Sequence, residues 1–92
     1  KKYLFISTYI KNNSAIIEIK DNATGIPEDI INKVFEPYFT TKHKSLGTGL
    51  GLYMSMQIIE QSLNGQVHVQ NEKYNYQNKT LYGANFTIQI PL

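Results

Sequence analysis

The chain contains no cysteine and no tryptophan in its 92 residues. Without cysteine, disulfide frameworks, thiolate metal sites and thiol nucleophiles are excluded. No apolar run approaches the roughly 18 residues that a membrane helix needs, and the first residues do not read as a secretory signal. Neither sign of charge prevails. Nine basic residues against seven acidic ones leave a net +2, and the lysines are scattered rather than striped, which argues against a nucleic-acid partner. An opening methionine is also missing: Lys1-Lys2-Tyr3 leads at once into a β-like run, so the chain is expected to be a piece of something longer. What remains is ordinary for a globular domain, with 41% hydrophobic and 17% charged residues, too apolar for a disordered tail. A chain this short buries only about 60–65% of its unfolded surface, so one domain with a thin stability margin is expected.

The hydrophobic pattern predicts the order β-β-α-loop-α-β-β. Tyr3 to Ile10 is rich in aromatic and β-branched residues, and Lys11-Asn12-Asn13-Ser14 is a polar turn. Ala15 to Lys20 alternates, with Ile17 and Ile19 on one face and Glu18 and Lys20 on the other, so the two runs read as a β-hairpin. Pro27 followed by Glu28 and Asp29 suits a helix start. Ile30/Val34 and Ile31/Phe35 at i,i+4 spacing predict a short amphipathic helix over Glu28 to Phe35, which Pro37 stops. Thr40 to Gly49 is polar and contains glycine, as an exposed loop would. From Gly51 to Asn64 the pattern is helical again, with Leu52, Met56, Ile59 and Leu63 in one stripe and Asn64-Gly65 as the stop. Val67 and Val69 alternate within Gln66 to Gln70. Asn71 to Tyr82 is turn-rich, with Tyr74, Tyr76, Leu81 and Tyr82 available to extend the strands on either side. Phe86, Ile88 and Ile90 share one face of the last strand, Asn85 to Ile90, and Pro91 ends it. This order fits an α+β domain with a mixed or antiparallel sheet and its helices on one face.

Three segments hold residue types suited to ligands. Gly47-Thr48-Gly49-Leu50-Gly51-Leu52 opens a helix; its glycines let the backbone approach a ligand closely, and the free N–H groups of a helix start favour phosphate. No Lys-Ser/Thr pair follows, so it is not a P-loop, and a polar loop rather than a strand precedes it, unlike a dinucleotide fingerprint. A flexible helix entry uses the same residues. In Asp21-Asn22-Ala23-Thr24-Gly25-Ile26-Pro27 a carboxylate stands at a strand end beside a Gly-containing turn. It can accept a hydrogen bond from an amino group such as that of adenine, while an Asx-turn in which Asp21 caps its own loop is the more frequent use. The third segment is Phe35-Glu36-Pro37-Tyr38-Phe39-Thr40-Thr41-Lys42. Taken by itself, its aromatics are core and Lys42 is solvated.

In this order and spacing the three segments closely resemble the G1, F and G2 boxes of the GHKL ATPases, specifically the catalytic and ATP-binding domain of bacterial sensor histidine kinases. Gly83-Ala84-Asn85-Phe86 running to Ile90-Pro91-Leu92 resembles the family's final strand. The resemblance covers nearly the whole chain. It implies a two-layer α/β sandwich, the Bergerat ATP-binding fold, with a mixed, largely antiparallel sheet and helices on one face. It also implies ATP as the ligand. Asp21 would accept the adenine amino hydrogen bond, Gly25 would let the base lie against the loop, and Ile26 would line the adenine pocket. Thr87 on the last strand would lie near the base. Lys42 and the segment Gly47, Thr48, Gly49, Leu50, Gly51 and Leu52 would hold the phosphates, chiefly through backbone amides, under a lid formed by Thr40 to Leu46. Phosphoryl transfer asks mainly for positioning and charge stabilisation, so no catalytic nucleophile is expected in this domain.

Two features depart from the family pattern. Ala23 stands where the G1 box usually carries glycine, which narrows the backbone choices of the loop. The N box, a helix whose asparagine coordinates Mg²⁺, precedes the first hairpin in the family and has no counterpart after Lys1. A Mg²⁺ ligand is therefore expected on that missing segment, with no metal ligand within the chain. The phosphoacceptor histidine of such kinases sits on a separate dimerisation helix and is followed by an acidic residue; His43 is followed by Lys44 and His68 by Val69, so neither fits. The resemblance thus implies a cytoplasmic kinase domain without direct membrane contact. Its parent would transfer the ATP γ-phosphate to a histidine of its own dimerisation domain and signal to a response regulator. Residues 1–92 would be a single partial domain, the C-terminal part of the ATP-binding domain, inactive in isolation. Two other readings stay open: a folding and interaction module without catalysis, and another GHKL member such as an anti-sigma-factor serine kinase or a mismatch-repair-type ATPase.

Overall fold

Two short turns made without glycine organise the sheet. The computed structural model describes residues 1–39 and 50–92. Asn12 and Asn13 both hold positive φ, 52° and 61°, the pair of left-handed residues that a type I′ hairpin turn requires and that asparagine tolerates. They join β1 (Leu4–Lys11) to β2 (Ser14–Asp21), with Lys11 against Ser14 and Leu4 against Asp21. Gln77 and Asn78, at 49° and 64°, do the same for β3 (Gln66–Tyr76) and β4 (Lys79–Pro91). The turn-rich reading of Asn71 to Tyr82 therefore gives way to two long strands, with Tyr74 paired to Leu81 and Tyr76 to Lys79.

β4 lies between β2 and β3, giving the order β1-β2-β4-β3, and every described pairing is antiparallel. Of the two sheet types expected, the antiparallel one is realised. Pro91 stands opposite Ser14 on β2 and beyond the point where β3 begins, so its missing N–H leaves no ladder bond unmade. Pleating sorts the side chains into two sets. Ile6, Ile17, Ile19, Phe86, Ile88, Val67 and Val69 are cross-strand neighbours on the apolar face. Glu18, Lys20, Asn85, Thr87 and Glu72 occupy the other.

Periodicity predicts an α-helix over Glu28 to Phe35. The structure has instead a single 3₁₀ turn, Ile31–Lys33, within a series of i→i+3 bonds from Ile30 to Pro27, Lys33 to Ile30, Glu36 to Lys33 and Phe39 to Glu36. The nine residues between Pro27 and Pro37 are too few for helix cooperativity to outweigh local turns. The apolar residues still dock: Phe35 meets Phe86 edge-on, with ring centroids 6.1 Å apart.

The second helix forms where expected, as α1 (Gly51–Gln57), but continues into a wider π turn over Ile58–Ser62. Of the expected stripe Ile59 is buried, while Leu52 and Leu63 at its two ends stay exposed. The exit is a Schellman-type cap: Asn64 is left-handed at φ 57°, and the Gly65 N–H donates to the Ile59 carbonyl at 2.8 Å. A Cβ on Gly65 would overlap the main chain of Gln89, so glycine is needed where the helical segment enters the sheet.

Candidate functional site

Asp21 ends β2 with one carboxylate oxygen pinned to the backbone. Its Oδ1 accepts the Ala23 N–H at 3.0 Å and the Ala84 N–H of β4 at 3.1 Å. The first bond is the local Asx-turn that the sequence allows. The second spans the fold. Among the described residues Oδ2 takes no hydrogen bond, so a rigidly held acceptor is left over. Gly83 permits this arrangement, because a Cβ there would overlap the Asp21 main chain. The Tyr74 hydroxyl donates to the Asp21 carbonyl at 2.6 Å. Burial raises the Tyr74 pKa, although the Lys20 ammonium, 4.4 Å from the ring centroid, opposes the shift.

The loop beyond Asp21 turns left-handed at Thr24 and Gly25, with φ 70° and 84°. A Cβ on Gly25 would lie 2.8 Å from Asn71 Oδ1 and equally close to the Tyr82 ring, so both backbone and space demand glycine there. Asn71 of β3 grips the next residue with both ends of its amide. Oδ1 accepts the Ile26 N–H at 2.8 Å, and Nδ2 donates to the Ile26 carbonyl at 2.7 Å and to Glu28 Oε1 at 3.0 Å. The Thr24 N–H adds a bond to the Tyr82 carbonyl at 3.1 Å. These bonds make the loop a fixed template. Asn22 reaches the other way, accepting the Tyr3 N–H at 2.9 Å and donating to the Lys1 carbonyl at 2.8 Å. Beside it opens a cleft of about 500 Å³ bordered by Lys1, Lys2, Tyr3 and Asp21, within the size range of small-molecule sites. Gly25 and Ile26 do not border it.

The structure thus brings Asp21, Gly25 and Ile26 together in one loop. Leu50, Gly51 and Leu52 begin α1, where the Leu50 carbonyl accepts the Met54 N–H at 2.9 Å. Gly51 faces open space. Lys42, Gly47, Thr48 and Gly49 lie outside the described residues, as do the rest of Thr40 to Leu46 and His43. Thr87 is paired with Glu18 and His68, so the β4 pleat sends it to the face opposite Ala84 and Asn71, away from the loop. Sequence reasoning missed Asn71, Gly83 and Ala84. One signal was present: Asn71 continues the alternation of Val67 and Val69, a polar residue in the parity of the apolar face. Among the described residues no three His, Cys, Asp or Glu side chains gather as a metal site.

The opposite face carries a polar network of another kind. The Tyr9 hydroxyl donates to Glu18 Oε2. Asn85, only 2% exposed, donates from Nδ2 to Glu18 Oε1 at 3.0 Å and to Glu72 Oε1 at 2.9 Å. Lys20 pairs with Glu72 Oε2 at 3.3 Å. The bonds from Tyr9 and Asn85 hold the Glu18 carboxyl below its usual range, and the same bond raises the Tyr9 hydroxyl. Asn85 Oδ1 is buried without a partner. Turning the amide over would set that oxygen against two carboxylates, so its orientation is fixed by charge.

Over residues 3–92 the chain matches the family described as histidine kinase-, DNA gyrase B-, and HSP90-like ATPase. Sensor kinase CckA of Brucella abortus is 53% identical over 47 residues, which is 51% of this chain and 5% of that protein. The signal transduction histidine-protein kinase AtoS of Escherichia coli is 40% identical over 76 residues, 83% of this chain and 11% of that protein. Among solved structures, the catalytic domain of histidine kinase ThkA superposes with a TM-score of 0.73 at 29% identity, covering 98% of this chain and 53% of that one. The mycobacterial sensor histidine kinase MprB gives 0.71 at 26% identity, covering 96% and 55%. The chain therefore spans about half of those solved structures and a small fraction of the curated relatives.

Proposed function

The chain belongs to the histidine kinase-, DNA gyrase B- and HSP90-like ATPases, and from that premise we propose that it forms the nucleotide-holding surface of a two-component sensor histidine kinase. The observation that carries this reading is Asp21. One carboxylate oxygen is immobilised by two backbone N–H groups while the other is left to accept a donor, which suits the exocyclic amino group of adenine. Gly25 removes the side chain that would keep a flat base from the loop, and Ile26, fixed by Asn71, offers apolar contact beside it. Leu50, Gly51 and Leu52 begin α1, and the N–H groups of a helix start favour an anion. Lys42, Gly47, Thr48 and Gly49 complete the proposed phosphate contacts. Thr87 faces away and takes no part.

ATP supplies the phosphoryl group; the residues of this chain hold and orient it and provide no nucleophile. The acceptor is a histidine of the kinase's dimerisation domain, from which the phosphoryl group passes to a response regulator. Mg²⁺ belongs to this reading with its ligand on the N-box helix of the longer kinase, of which residues 1–92 are one partial domain. No helix of the described residues is long and apolar enough to cross a membrane, and the proposed location is the cytoplasm, where ATP is.

Calorimetry with a non-hydrolysable ATP analogue tests the reading. The chain should bind the adenine nucleotide in preference to the guanine one. Asp21→Asn turns the free acceptor into a donor and should weaken binding by about tenfold or more, the worth of one hydrogen bond to a charged group, without moving the melting midpoint. Equal affinity in the variant removes Asp21 from the site. No binding by the native chain leaves the interaction-module reading in its place.

A further inference from the structure

The last residue of β2 is held through its main chain as well as through its carboxylate. The register between β2 and β4 runs to Lys20–Asn85. One residue further, the Ala84 N–H donates to Asp21 Oδ1, so β4 serves the carboxylate there rather than the carbonyl. The half-buried Asp21 carbonyl accepts the Tyr74 hydroxyl instead, at 2.6 Å. Among the described residues no other side chain bonds that carbonyl.

Tyr74 reaches it across an empty position. The register pairs Glu72 with Gly83 and Tyr74 with Leu81, so Gly83 and Tyr74 share one face of the sheet. A Cβ on Gly83 would overlap the Asp21 carbonyl oxygen. The ring of Tyr74 is fixed on both sides: Phe5 meets it edge-on with centroids 5.9 Å apart, and the Lys20 ammonium lies 4.4 Å from its centroid. Glu72 holds that ammonium at 3.3 Å. Burial lifts the hydroxyl above its ordinary 10.0, so it keeps its proton and remains a donor.

The Asp21 carbonyl belongs to the peptide that leads through Asn22 to the Ala23 N–H. Rotation of that peptide would move the Ala23 N–H away from Oδ1 and loosen the Asx-turn. With the peptide pinned by Tyr74 and Oδ1 pinned by Ala84, the carboxylate has one orientation and Oδ2 one direction. Resting on the adenine reading above, we propose that Tyr74 is a positioning residue for base recognition. Its hydroxyl sets the direction in which Asp21 accepts the 6-amino group of the purine, without touching the nucleotide. An acceptor ordered before binding has less freedom to lose when the base arrives.

Calorimetry with two non-hydrolysable triphosphates tests this, one carrying adenine and one carrying purine with hydrogen in place of the 6-amino group. Tyr74→Phe removes the hydroxyl and keeps the ring. It should weaken binding of the adenine nucleotide about threefold to tenfold, the worth of one neutral hydrogen bond, and leave the affinity for the unsubstituted purine as it is. A merely structural loss, partial unfolding included, would lower both affinities alike, so their ratio isolates the role of Tyr74. In an Asp21→Asn background the same substitution should cost nothing further. Tyr76→Phe removes a hydroxyl from the same strand face and should leave both affinities unchanged. No loss in Tyr74→Phe, equal losses for the two nucleotides, or a full loss added to that of Asp21→Asn overturns the role of Tyr74 and leaves Asp21 in the site. A native chain that binds both nucleotides equally, or neither, overturns the adenine reading and this inference with it.

Discussion

The two faces of the sheet use polar side chains in opposite ways. On the Asp21 side the bonds run mostly from side chain to main chain: Asp21 to the amides of Ala23 and Ala84, Asn71 to the N–H and C=O of Ile26. On the other side they run from side chain to side chain, through Tyr9, Glu18, Asn85, Glu72 and Lys20. A side chain that bonds the backbone shapes a loop and can keep an atom in reserve, as Asp21 keeps Oδ2. Side chains that bond each other consume their capacity and stiffen the sheet. Polar capacity left after the fold is satisfied is what a ligand can use, which is why the proposed site lies on the first face.

The contrast can be broken from either side. The largest effect should come from Gly83→Ala, whose Cβ would overlap the Asp21 main chain. A loss of about 3 kcal/mol in denaturant unfolding is expected from such overpacking, whereas Gly51→Ala, with nothing within 4 Å, should stay within about 0.5 kcal/mol while weakening nucleotide binding. Next comes Asn85→Asp, which places a third carboxylate between Glu18 and Glu72. It should cost about 2 kcal/mol at neutral pH, recover part of this in acid, and leave nucleotide affinity unchanged. A fall in affinity there would show that the two faces are coupled. Asn71→Ala should cost about 1–2 kcal/mol, because three hydrogen bonds of a partly exposed loop are lost, and should lower nucleotide affinity at the same time.

The smallest effect is on pH dependence. Glu18 has a folded pKa below its ordinary 4.5, so its stabilisation is complete above that value and is lost as pH falls through the lower folded-state one. Tyr9 is shifted upward from 10.0, so its contribution is complete below that value and is lost as pH rises through the raised one. Tyr9→Phe removes the main cause of the Glu18 shift and the titrating phenol together. Melting midpoints against pH should therefore flatten on both flanks, and an unchanged acid flank would assign the Glu18 shift to Asn85.

What could be read from the residues divides along the same line. The first hairpin was legible because Asn12-Asn13 carries its own turn chemistry and Ile17/Ile19 alternate. The turn at Asp21 and the left-handed glycine at Gly25 were legible because a strand end, a carboxylate and a glycine fall within five residues. The second hairpin was not, since Gln77 takes a left-handed conformation that its type rarely prefers. The helix expected over Glu28 to Phe35 was misread because i,i+4 spacing reports only which side chains can share a face. Between Pro27 and Pro37, the 3₁₀ turn and the Phe35–Phe86 contact accomplish that burial with fewer helical bonds. Gly83 carried no signal and Asn71 only its parity, for a different reason: their partners, Asp21 and Ile26, are brought near only by the pairing of β4 with β2 and of β3 with β4.

That pairing gives β4 the character of a ruler. In a few residues it bears the glycine that admits Asp21, the amide that binds it, and the Asn85 side chain that joins two carboxylates on the far side. One residue inserted or deleted between Gly83 and Pro91 would exchange the two faces of everything beyond it and detach the loop from the sheet at the same stroke. Length should therefore be invariant along this stretch under any evolutionary or engineering pressure, even where composition drifts. Insertions should be absorbed at Gln77-Asn78, where the ruler has not yet begun to measure.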